Sequence, residues 1–158
     1  MIPSIILVPI DFSVHSEHAL DYACELSSKL GATVHLVNSI GAALPELTVA
    51  MTGPIFDRLK HEHERALEQL VEPRRGLAKI DRLLVKEGDA RHGILDAAKE
   101  LEADLIVMGT HGRSGIARVL LGSVAEYIVR RAPCSVLTIR AEPPSERRAV
   151  GRSELATR

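Results

Sequence analysis

Short apolar runs alternate along the chain with longer stretches in which apolar residues recur every three or four positions. Ile5-Ile6-Leu7-Val8 is unbroken and β-branched, as a strand covered on both faces should be. After Pro9-Ile10-Asp11, residues Leu20, Ala23, Cys24, Ser27 and Leu30 share one helical face, with Ser13 placed to cap the helix and Gly31 to end it. Residues 33–37 form the second predicted strand. A loop follows over 39–54, and then a helix from about 55 to 72 with an apolar stripe of Ile55, Leu59, Ala66, Leu67 and Leu70. The third strand, 81–86, carries charges on one alternating face, which marks a sheet edge. A helix over 90–101 turns Ile94, Leu95, Ala98 and Leu101 inward. Asp104 then introduces a strand over 105–108, and a last helix, 123–131, is broken by Pro133 before a final strand over 135–139.

Strands alternating with helices imply an α/β fold: a five-stranded parallel sheet with right-handed crossovers and helices on both faces. Beyond Ala141 the apolar periodicity stops in Glu142-Pro143-Pro144-Ser145-Glu146-Arg147-Arg148. The expected organisation is therefore one domain over 1–141 and a flexible tail over 142–158. Aromatics make up only 3% of the chain and there is no Trp, so the core must be aliphatic.

The formal net charge of −1 gives no basic block for nucleic acid or an anionic membrane surface. No apolar run approaches the roughly 20 residues that span a bilayer. The first residues lack a signal-peptide pattern. Cys24 and Cys134 lack CxxC spacing and read as reduced thiols. A cytoplasmic protein is expected.

Glycines concentrate at Gly109, Gly112, Gly115 and Gly122, between the apolar run 105–108 and the helix at Ser123. A strand, a glycine-rich loop and a helix start make a phosphate-binding geometry. Backbone N–H groups approach an anion where no Cβ intervenes, and the helix N-terminus adds unpaired donors. In open α/β sheets ligands bind beyond the carboxyl ends of the strands at the switch point of strand order. With the order 3-2-1-4-5, Pro9-Ile10-Asp11 would meet the glycine loop there. Asp11 accepts only, which suits ribose hydroxyls or a divalent cation, and Val37 would flank a base. Each residue also has a plainer reading. Gly109 and Gly112 serve as turn residues, Ser123-x-x-Glu126 is a capping box, Asp11 caps the first helix, and Arg113 is solvated.

The spacing Gly109-x2-Gly112-x9-Gly122-Ser123 resembles the ATP-binding signature of the universal stress protein family. Ile6-Leu7-Val8-Pro9-Ile10-Asp11-Phe12-Ser13, Ala103-Asp104-Leu105-Ile106-Val107-Met108-Gly109-Thr110-His111-Gly112, Gly122-Ser123-Val124-Ala125-Glu126 and Ala132-Pro133-Cys134-Ser135-Val136-Leu137 resemble the family's other segments in order. The resemblance covers about residues 3–140. It implies a Rossmann-like sheet of the adenine nucleotide alpha hydrolase type, ATP with Mg²⁺ at its phosphates, and a cytoplasmic homodimer formed through the last strand, 135–140. It assigns adenosine contacts to Pro9, Asp11 and Val37, with Ile10 in the same turn. Phosphate-side contacts fall to Gly109, Thr110, Gly112, Arg113, Gly122, Ser123 and Val124.

An ATP-cleaving enzyme would need more than this. There is no G-x-x-x-x-G-K-[ST] loop and no Ser-Gly-Gly after the first strand. Asp11 and His111 are the only loop candidates for acid–base or cation chemistry. His61-x-His63 has the wrong helical spacing for a shared metal. Three readings stay open: a nucleotide-dependent regulator, a slow ATP hydrolase or self-phosphorylating protein, and a dimeric scaffold with an empty site.

Overall fold

A computed structural model describes residues 2–41, 54–110 and 121–140. In chain order the elements are β1 (Ile5–Pro9), α1 (Val14–Leu30), β2 (Thr33–Ile40), α2 (Pro54–Val71), a 3₁₀ turn (Glu72–Arg74), β3 (Lys79–Glu87), α3 (Ala90–Glu100), β4 (Leu105–Gly109), α4 (Ser123–Arg131) and β5 (Ser135–Ile139). All strands pair in parallel, in the order β3-β2-β1-β4-β5. The expected topology is the observed one, with β3 at an edge as its charged face implied.

The apolar runs form the central strands because both of their faces are covered. Ile6, Val8, Val34, Leu36 and Val107 pack with α1 and α2 through Leu20, Ala23, Cys24, Leu67 and Val71. Leu7, Val37, Ile106 and Met108 pack with α3 and α4 through Ile94, Ala97, Ala98, Ala125 and Ile128. Successive strand residues point to opposite faces, so one run feeds two aliphatic cores.

Helix ends follow local chemistry. Ser13 caps α1 by accepting from Ser16 N–H at 3.3 Å, and Gly31 closes it at φ 71°, in the left-handed region. Leu30, expected inward, is exposed. It is the last residue of α1, beside the Gly31 turn that redirects the chain into β2.

The β2–β3 pair is longer than expected. β2 continues through Ile40 instead of giving way to a loop at Ser39, because its partner β3 also runs long and pairs Ser39 with Lys86 and Ile40 with Glu87. The remainder of that loop, residues 42–53, lies outside the described residues, as does the tail beyond Arg140. The register of β2 on β3 also slips between Val34 and Leu36, so that Asp81 and Arg82 face the single residue His35. The slip leaves Arg82 N–H without a ladder partner, and His35 Nδ1 accepts from it at 3.0 Å.

Candidate functional site

β1 is followed by β2 on one side of the sheet and flanked by β4 on the other, so the chain reverses direction across the sheet between β1 and β4. Beyond the carboxyl ends of β1, β2 and β4 lies a cavity of about 320 Å³.

The first wall is the turn after β1. Ile10 N–H donates to Val37 O at 2.8 Å, continuing the ladder one residue past the strand. The Asp11 carboxylate accepts from the backbone N–H and the hydroxyl of Ser13, bracketing Phe12 at φ 60°. A left-handed Phe costs on the order of 1 kcal/mol, and these two bonds hold it in place. From the other side, Asn38 donates Nδ2–H to Ile10 O at 2.8 Å, while its Oδ1 lies 2.7 Å from His63 Nδ1 on α2. The His63 ring meets Phe12 edge-on, with centroids 5.6 Å apart. His63 is therefore a structural partner of a buried asparagine. Asp11 also lines the cavity, so its turn-holding role and a ligand-facing role coexist.

The second wall is the end of β4. Gly109 is the last residue of that strand, and a Cβ built on it would lie 3.0 Å from the carbonyl carbon and oxygen of His15 on α1. Close approach to helix α1 thus gives this glycine a packing reason beside the turn and amide-presenting roles expected of it. Thr110 is buried; its N–H donates to Ile139 O at 3.0 Å, and its carbonyl accepts from Gly122 N–H at 2.7 Å. It thus ties β5 and the start of α4 to the end of β4.

The third wall is the start of α4. Its N-cap is Gly122, not Ser123, and no side chain caps it. The expected capping box is absent because the helix begins one residue earlier than that pairing requires. Glu126 instead bonds Arg130 at 2.9 Å. The first N–H groups of a helix have no partner within it, and here the cap residue brings no oxygen to meet them. A positive dipole end therefore faces the cavity.

The structure brings Pro9, Ile10, Asp11 and Val37 together with Gly109, Thr110, Gly122, Ser123 and Val124 around this one cavity. Gly112 and Arg113 lie outside the described residues. Sequence reasoning missed Ser16, Ser39 and Met108, and also Ala90 and Ile94 of α3. The α3 pair arrives because Gly88 N–H donates to Ile40 O at 2.8 Å, setting the helix start above the end of β2. The available signal was Gly88-Asp89, a turn glycine followed by a capping acid. Asp89 accepts from Arg91 N–H at 2.8 Å, and its contacts with the Arg91 guanidinium pull the carboxyl pKa down to about 2. Among the described residues, Asp11 is the only charged side chain lining the cavity. No group of three or more His, Cys, Asp or Glu suited to a metal is found among them.

Comparison with known proteins is consistent across sequence and structure. The family model described as Universal stress protein family matches residues 4–140. A universal stress protein of Methanocaldococcus jannaschii is 31% identical over 138 residues, covering 85% of this chain and 81% of the relative. A universal stress protein from Archaeoglobus fulgidus, solved in complex with dAMP, superposes with a TM-score of 0.62 at 27% identity, over 87% of this chain and 98% of its own. Another, solved in complex with cAMP, gives a TM-score of 0.60 at 27% identity, over 88% and 98%.

Proposed function

The chain belongs to the universal stress protein family, and from that premise we propose that its cavity binds ATP, with Mg²⁺ at the phosphates, and that occupancy regulates the protein instead of feeding a reaction. The observation that carries this reading is the meeting of the Pro9-Ile10-Asp11 turn with an uncapped helix N-terminus across one cavity. The apolar β2 side, with Val37, suits a base. Asp11 suits a ribose hydroxyl or the cation. The α4 end, with Gly122, Ser123 and Val124, suits phosphate, joined by Gly112 and Arg113 of the glycine signature. Two relatives solved with adenine nucleotides support the ligand class.

Regulation is favoured over catalysis by what lines the cavity. Phosphoryl transfer is carried by positioned cations and an oriented nucleophile. No Lys, Arg or His is among the described lining residues, and the chain has no phosphate-gripping Lys loop. The alternatives keep distinct signatures: a slow hydrolase or self-phosphorylating protein turns ATP over, and an empty scaffold does not bind it. The reading extends to a cytoplasmic homodimer paired through β5. No helix among the described residues is long and apolar enough to cross a membrane.

Isothermal titration calorimetry with ATP and Mg²⁺ tests the proposal. Saturable heat is expected, abolished by Gly112→Val with the circular dichroism spectrum unchanged. Absence of both heat and thermal shift at millimolar ATP would leave the scaffold reading. Phosphate release above background would move the protein to the hydrolase class.

A further inference from the structure

Ser39 is the cavity residue whose polar atom has nothing to do. It lies near the end of β2, two positions after Val37 and so on the same face of the sheet, toward α3. Its hydroxyl oxygen is buried and has no hydrogen-bond partner. Yet Ser39 lines the cavity. The hydroxyl rests on α3 at Gly93, where a Cβ would collide with Ser39 Oγ and come within 3.2 Å of Lys86 Cβ. Glycine inside a helix costs on the order of 1 kcal/mol relative to alanine. At position 93 the missing Cβ leaves room for the Ser39 hydroxyl. A buried hydroxyl without a partner calls for an explanation, and the cavity beside it supplies one.

We propose that Ser39 is a specificity-determining residue of the cavity: on ligand entry its hydroxyl turns about χ1 from Gly93 into the cavity and hydrogen-bonds the polar edge of the base. This rests on the nucleotide reading above. The strand order assigns the end of the ligand. Adjacent strands are about 4.8 Å apart, so β2 stands roughly 10 Å from β4 with β1 between them. A nucleotide with its phosphate at the α4 N-terminus puts its base at the β2 and α3 end, where Ser39, Val37, Ala90 and Ile94 line the cavity. Val37, Ala90 and Ile94 offer the base apolar surface. Ser39 brings to that end the only side-chain hydroxyl among the described lining residues, and it donates or accepts as the base requires.

The rotation leaves a signature that a packing role would not. In the ligand-free protein the hydroxyl is unpaired, so Ser39→Ala leaves the melting temperature unchanged or raises it. In the complex the hydroxyl is bonded, so the same variant weakens binding on the order of tenfold. Calorimetry of wild type and Ser39→Ala with ATP and with purine riboside 5′-triphosphate, which lacks the exocyclic amine, each with Mg²⁺, tests this. Wild type is expected to prefer ATP. Ser39→Ala is expected to lose affinity for ATP and to narrow the gap between the two ligands. If wild type binds ATP and Ser39→Ala binds it equally well, this inference is overturned while the nucleotide reading stands. If wild type binds neither ligand, both fall. A Ser39→Ala variant with lowered melting temperature assigns the hydroxyl to packing and also overturns it.

Discussion

His35 is buried, and its Nδ1 must be unprotonated to accept the Arg82 N–H bond that closes the β2–β3 bulge. Burial lowers its pKa below the usual histidine value. Asp81 opposes that shift, while Arg82 and Lys79 reinforce it. The folded state thus prefers neutral imidazole more strongly than the unfolded chain does. The resulting stability is complete above the unfolded histidine value near 6.5 and is lost as pH falls toward the lower folded value. Chemical denaturation of wild type should show stability declining as pH is lowered from 7 to 5. In His35→Phe that slope should flatten, and the variant should be less stable at pH 7 by about 1–3 kcal/mol for the unpaired Arg82 N–H. Gly109 makes a second residue-level case. A methyl at 109 meets the backbone of His15, which cannot swing aside as a side chain tip does. Gly109→Ala should cost about 1–3 kcal/mol by urea unfolding, whether or not a nucleotide is present.

At the scale of elements, the turn after β1 is held by parts from three places. Asn38 of β2 binds the Ile10 carbonyl and meets His63 of α2, and Asp11 binds Ser13 ahead of α1. Asn38→Ala should destabilise the fold by about 2 kcal/mol, because it leaves the buried Ile10 carbonyl unsatisfied. It should also weaken ATP binding in the same calorimetric assay, since it loosens the turn that carries Asp11. The local part, Ser13 and Asp11 at the start of α1, was legible in the sequence; the part that comes from β2 and α2 was not. Asn38 lay just past the predicted second strand, 33–37, and His63 was read only in the pair His61-x-His63, whose spacing does not suit a shared metal. Contacts between residues 25 positions apart leave no local trace. The capping pattern at Ser123 misled for a related reason. Ser-x-x-Glu scores the same whether the helix begins at Gly122 or after it. The bond from Gly122 N–H to the carbonyl of Thr110, just past the end of β4, holds the helix start there.

For the whole molecule, strand order and layer arrangement were readable because alternating periodicities permit few right-handed parallel topologies. The nine described cavity residues that sequence reasoning named follow from the same rule, since the switch point lies between β1 and β4. The α3 wall escaped because its approach depends on how far β2 and β3 extend together, a property of pairing and not of either strand alone. The proposed homodimer is argued at this scale. β5 occupies the sheet edge, its Val136 to Ile139 segment is only partly buried, and no charge or proline blocks it before Arg140. Light scattering at micromolar concentration should return twice the chain mass of 17.2 kDa. Leu137→Lys should reduce it toward one chain mass, and a wild-type monomer would refute pairing through this edge.

The 2.7 Å bond from Gly122 N–H to the Thr110 carbonyl joins the two ends of the segment between them. A segment whose ends already touch behaves as a graft on a fixed neck. By loop entropy alone, lengthening the connection costs about 0.6 kcal/mol for each doubling. The scaffold should therefore tolerate foreign sequence spliced between Thr110 and Gly122. Such chimaeras would retain the melting behaviour of the parent while exchanging what is presented to the ligand.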